Sequence, residues 1–279
     1  MSSEVFTDYE GLEGGWRIDQ EDFQNLDQNF NFENEVLLMM GDYEANDFDA
    51  RDILKVENQR SQGACQGHSI SSCVEMASCI AIGEKSLELS RAMGYYETQR
   101  LDGIRGDRGS TISGGVKLAT GTGICKEELW PYPSKYNPKR PSNWQGILES
   151  AERFRAFKSV RIRSWDGLVT FLEAGLGSVS IGIRWNSSVN REHVTSYSGG
   201  GGGGHAVTLP QMSKKRPGEV DMMNSWGDKW GDGGWATWTQ KAFEQMLKDR
   251  FTVAIGVSDM SNLEPRKISF TNFVDGIII

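Results

Sequence analysis

The sequence predicts an α+β protein, with a helical first half, a strand-rich second half and a groove where the two meet. Two observations carry this. Apolar and small residues recur at helical spacing between residues 63 and about 83, and five short strand-like segments separated by Gly, Lys and Pro-rich turns fill the stretch from 178 to 257.

In chain order, residues 1–48 form an acidic arm. The first fifty residues hold fourteen Asp/Glu and one Arg, a net charge of −13 against −8 for all 279 residues, so the remainder carries +5. Trp16, Phe23, Phe30, Phe32 and the run from Leu37 to Met40 give the arm apolar anchors, and its charge suits it to lie on the basic body. The opening MSSEVFTDYE has neither a basic nor an apolar leader segment, and no apolar run approaches about 18 residues. The expectation is a chain synthesised in the cytoplasm, with no membrane partner. No Lys/Arg-rich helix face or tail is present, which argues against nucleic acid and leaves proteins or peptides as partners. Nothing in the sequence sets an oligomeric state.

The helix from 63 to about 83 carries Ile70, Cys73, Val74, Met76, Ala77, Ile80 and Ala81 on a buried face, with Cys65 at its start and Gly83 as its stop signal. Further helices are expected at 86–100 and 111–121, followed by the aromatic, proline-rich loop LWPYPSKYNP. After a helix near 165–174 come SVSIGIRW (178–185), HAVTLPQM (205–212), EVDMMNSW (219–226), GWATWTQ (234–240) and TVAIGV (252–257), an antiparallel sheet or open barrel. The expected organisation is an arm at 1–48, a domain at 49–258 with a helical lobe to about 150 and a β lobe from 151, and a tail at 259–279.

Three segments carry chemistry. In NQRSQGACQGHS (58–69), a thiol at a helix N-terminus is favoured as thiolate by the backbone dipole, and the Gln59 amide with the Cys65 N–H can receive a developing oxyanion. GHAVTLPQM supplies a base, His205, at the start of a strand in the other lobe. In MMNSWGDKWGDGGW (222–235), Asn224 can accept from the imidazole and fix its tautomer, while Trp226 can shield that bond from water.

These segments, in this order, resemble the papain family of cysteine peptidases, whose signatures are a glutamine-to-cysteine loop, a HAV-type strand and an NSWG turn. The stretch LSRAMGYYETQRLDGIRGDRGSTISGGVKLATGTGICKEELWPY (89–132) looks like the bacterial and phage-like branch, and the likeness runs from about 47 to 258. It implies a helical left lobe, a β-barrel-like right lobe and an active-site cleft between them. It also implies a Cys65–His205–Asn224 triad with Gln59 in the oxyanion hole, acting as an endopeptidase through a covalent acyl-enzyme without metal or organic cofactor. Gly109 and Ser110 would then border the substrate backbone, and Gly204 and Ala206 would line the main side-chain pocket beside Trp226. The alternatives are a catalytically silent binding or structural component, as in a phage particle or other assembly, and an acyl transferase on the same triad.

Several residues depart from the family pattern. Gln66 stands where a tryptophan usually follows the nucleophile, His68 replaces an aromatic two positions on, and Gln62 replaces a half-cystine. Six glycines, Gly199 to Gly204, run into His205 and lose much backbone entropy on ordering. This run matches G-x-G-x-x-G but precedes a strand rather than a helix, so it is not a phosphate cradle. Cys73, Cys79 and Cys125 read as core residues, Trp230 and Trp235 as core aromatics, His68 as a packing or hydrogen-bonding residue and His193 as a loop residue. Zinc held by Cys65, His68, Cys73 and Cys79 is excluded on a continuous helix, where Cys65 and Cys79 lie about 21 Å apart at ~1.5 Å rise per residue.

Overall fold

A computed structural model of the protein describes residues 16–17, 49–82, 87–185, 193–194, 197 and 203–260. The rest of the arm, the tail from 261 and glycines 199–202 lie outside the described residues. The elements are β1 (Trp16–Arg17), α1 (Ala50–Ile53), α2 (Cys65–Ile82), α3 (Arg91–Leu101), β2 (Ser110–Thr111), α4 (Ile112–Gly121), α5 (Trp144–Arg153) and β3 (Ala156–Arg161). They continue with α6 (Trp165–Glu173), β4 (Gly177–Arg184), β5 (His193–Val194), β6 (Gly204–Leu209), β7 (Glu219–Met223), β8 (Trp235–Thr239), α7 (Gln240–Leu247) and β9 (Val253–Met260).

Helix starts follow hydroxyl and amide caps. Ser90, Thr111, Asn143, Ser164 and Thr239 each accept from the backbone N–H three residues on. Helix α2 is the structural axis. Every residue from Cys65 to Ile80 is buried, so it behaves as a helix enclosed on all sides rather than an amphipathic surface one. It packs on α3 and α4 on one side and on β4, β6 and β9 on the other. Two glycines permit the α2–α3 contact: a Cβ on Gly67 would lie 2.6 Å from the Tyr95 backbone, and one on Gly94 would lie 2.6 Å from the Gly67 carbonyl oxygen. Farther along, Glu75 of α2 accepts from the Arg91 guanidinium, with Nη2 to Oε2 at 2.7 Å, and from the Leu89 N–H at 2.6 Å, so the buried carboxylate is satisfied.

Seven strands form a sheet in the order β3-β9-β4-β6-β7-β8-β5, antiparallel except for the β5–β8 pair. One apolar core joins α2 and its helical neighbours to β9, and a second lies between the sheet and α6 and α7. The expected strand at 205–212 ends at Leu209, because Pro210 has no N–H to continue the ladder. His193 corrects the sequence reading: instead of a loop it sits in a two-residue strand, paired in parallel with Thr237 on the open edge of β8.

Candidate active site

Cys65 opens α2, and its Sγ lies 3.4 Å from the backbone N of Ala206 in β6, the residue after His205. The thiol of the helical lobe therefore abuts the histidine strand of the β lobe. The register fixes this: Ala206 pairs with Gly182 and His205 with Ile183, and α2 rests on both strands. Cys65 and His205 are both fully buried.

His205 Nε2 lies 2.8 Å from Asn224 Oδ1. The same oxygen accepts from the Ser225 backbone N–H at 2.8 Å, which settles the orientation of the amide. Oδ1 thus faces the ring and Nε2 carries the proton, leaving Nδ1 as the lone-pair nitrogen. Nδ1 is buried without a hydrogen-bond partner. Trp226 stacks on the imidazole at 4.6 Å between centroids, and Trp185 meets it edge-on at 4.9 Å. This apolar enclosure disfavours the charged ring. Burial pulls the His205 pKa down to about 4, only partly opposed by the bond to Asn224.

Gln59 is anchored at three points. Its N–H donates to the Ser225 carbonyl at 2.7 Å, its Oε1 accepts from Ser225 Oγ at 2.6 Å, and its Nε2 donates to the Gln62 carbonyl at 2.9 Å. One Nε2 hydrogen is left over for another acceptor. Gln62 is held by hydrogen bonds: its Nε2 donates to the Pro133 carbonyl and its Oε1 accepts from Tyr96 Oη, each at 2.8 Å. Gln66 turns its Oε1 to the Ser110 hydroxyl at 2.7 Å and thereby ties the first turn of α2 to β2.

Of the expected cleft residues, Gly109 has φ +82°, a left-handed conformation that favours glycine, and its N–H and carbonyl are held by Tyr95 Oη and Gln99 Nε2. Ser110 is buried and pairs in parallel with Trp16 of the arm, as Thr111 does with Arg17. Arg17 Nε also donates to the Arg108 carbonyl, and β1 touches β6. Gly204 pairs with Arg184, and Ala206 is buried next to the thiol. Cys65 thus meets Ala206, the His205 ring beside it meets Asn224 and Trp226, Gln59 joins them through Ser225, and Ser110 reaches the first turn of α2 through Gln66. Trp185, Ser225 and Tyr132 escaped the sequence reading. Trp185 could have been found from the alternation of β4, since Ile183 and Trp185 share a face.

Cys73, Cys79 and Cys125 are buried, and burial pushes the Cys73 and Cys125 thiols up to about 12. Among the described residues, no group of His, Cys, Asp and Glu side chains is placed to hold a metal ion, and no helix is long and apolar enough to cross a membrane.

Residues 44–254 match the family described as papain family cysteine protease. A curated relative, an uncharacterized peptidase C1-like protein of Acanthamoeba polyphaga mimivirus, is 24% identical over 252 residues, covering 80% of this chain and 79% of its own. Among solved structures, xylellain, a cysteine protease from Xylella fastidiosa, superposes with a TM-score of 0.61 at 20% identity, covering 78% of this chain and 95% of its own. The procathepsin B of Trypanosoma congolense gives 0.60 at 15% identity, covering 89% and 87%. These structural likenesses show the fold.

Proposed function

Since the chain belongs to the papain family of cysteine proteases, we propose that it hydrolyses peptide bonds through Cys65, His205 and Asn224, with Gln59 in the oxyanion hole. The observation that carries this reading is the contact of Cys65 Sγ with the Ala206 N–H at 3.4 Å, next to a His205 ring bonded to Asn224 at 2.8 Å.

The chemistry follows from these positions. Nδ1 of His205 takes the Cys65 proton, giving thiolate and imidazolium. The thiolate adds to the peptide carbonyl carbon, and the oxygen gains charge where it can accept from the Cys65 N–H and from the second Nε2 hydrogen of Gln59. The imidazolium then protonates the leaving amine, and the C–N bond breaks to leave a thioester. His205 next removes a proton from water, which attacks the thioester and releases the acid and the thiol. Asn224 keeps Nδ1 facing the sulfur throughout, and Trp226 keeps water off the bond that does so.

We also propose that residues 1–48 cover this cleft. The pairing of Trp16 and Arg17 with Ser110 and Thr111, and the contact of that strand with β6, support it. So does the charge, −13 in the first fifty residues facing +5 elsewhere. A covered His205 held at about 4 is neutral, so displacement of the arm and entry of water favour the ion pair.

The test is a Cys65→Ala variant assayed on an unfolded protein substrate after removal of the arm. It should lose all measurable cleavage while keeping its fold, and retained cleavage would refute the assignment.

A further inference from the structure

Beside Asn224 lies a small cavity whose walls include His68, Ser69, Thr208, Met223, Asn224 and Glu57. Its volume is about 10 Å³, room for a single water. Two polar atoms of these lining residues are buried without partners: Nδ2 of Asn224, a donor, and Nε2 of His68.

The tautomer of His68 follows from its other nitrogen. Nδ1 lies 3.0 Å from the Ala64 carbonyl, which can only accept, so Nδ1 carries the proton and Nε2 is an acceptor. The ring cannot easily turn. Tyr132 meets it edge-on at 4.7 Å, and Tyr132 Oη donates to the Gln59 carbonyl at 3.0 Å. Nor does it charge: His68 is buried, the Arg91 and Arg60 guanidiniums and the His205 ring act on it, and its pKa falls to about 3. A neutral acceptor and an amide donor therefore belong to residues that line one water-sized space, and burying both unpaired would be costly.

We propose that His68 is a positioning residue for the catalytic amide: a trapped water accepts from Asn224 Nδ2 and donates to His68 Nε2, holding Asn224 in the orientation that keeps its oxygen on His205. This role rests on the Cys65–His205–Asn224 reading. Of the two amide groups, Oδ1 is pinned by Ser225 N–H and His205, and Nδ2 gains its tie through the water. Two anchored ends resist rotation of the amide better than one.

Two experiments decide it. In a high-resolution crystal structure of the full chain, density for a water should lie within hydrogen-bonding distance of both nitrogens, and a dry cavity overturns the proposal whatever the activity. In kinetics, His68→Phe keeps the ring and loses the acceptor. It should lower kcat by about five- to tenfold, the effect of one lost hydrogen bond, with KM unchanged and the alkaline limb of the pH profile moved down. His68→Gln, whose amide oxygen can reach the Nε2 position, should recover most of that loss. A folded His68→Phe protein with wild-type kcat and pH profile contradicts the role. Should that variant fail to fold, the water density decides alone. Failure of the parent reading would look different, because Cys65→Ala would then still cleave.

Discussion

The Asn224 side-chain oxygen lies 2.8 Å from both His205 Nε2 and the Ser225 backbone nitrogen, so one atom sets the direction of the imidazole. The backbone of the NSWG turn, rather than a charged group, fixes the ring. A neutral amide orients His205 without burying a carboxylate beside it, which would cost several kcal/mol to desolvate.

Asn224→Ala should therefore leave the fold intact and reduce kcat/KM by about 10²-fold, the lower range of what a well-placed general base contributes. The loss should fall on kcat. Steady-state kinetics on a peptide substrate check it, and a loss confined to KM would assign Asn224 to substrate binding instead.

Acid should destabilise the protein before its carboxylates titrate. His68 and His205 have folded pKa values of about 3 and 4, below the 6.5 of the free ring, so the unfolded chain binds more protons between those limits. Stability is then complete above pH 6.5 and falls as the pH drops, by up to about 1.4 kcal/mol per pH unit for each ring. Chemical denaturation between pH 6.5 and 5 measures this, and His68→Phe should roughly halve the slope. A flat profile would mean that the rings are not held neutral.

Gly67→Ala should destabilise by about 3 kcal/mol, since its methyl would meet the α3 backbone at 2.6 Å, where no side chain can swing aside. Thermal unfolding checks it. A variant as stable as the parent would mean that α2 and α3 can separate at little cost.

Removing the arm should raise peptidase activity. A chain starting at Asn46 should turn over faster than the full chain, and a peptide of residues 1–45 added back should slow it. Equal activity and equal melting temperature for the two chains would contradict the covering role.

The fold was legible where periodicity is strong. The central helix, the paired strands and the lobe order all follow from spacing, and the site residues sit in short local motifs that the sequence keeps intact. What escaped depends on tertiary packing. Helix α5, from Trp144 to Arg153, buries only Ile147 and Ala151, too few apolar positions for a clear pattern. Strand β3 and helix α7 are short and polar in sequence, and β3 exists because β9 offers it an edge. His193 became a strand residue through pairing with Thr237, a contact no local signal encodes. Trp185 was visible as a strand residue, but its place against His205 required the register of β4 on β6. The same holds for His68, whose value lies in the cavity it lines with Asn224.

The most direct measurement is mass spectrometry of the arm-less protein after treatment with a thiol-directed epoxide at neutral pH. Cys73, Cys79 and Cys125 are buried, and the Cys73 and Cys125 thiols are pushed up to about 12. A single adduct on Cys65 is expected, appearing in step with loss of peptidase activity. An unmodified Cys65 in an active protein, or inactivation that tracks modification of another cysteine, would contradict the assignment of Cys65 as the nucleophile.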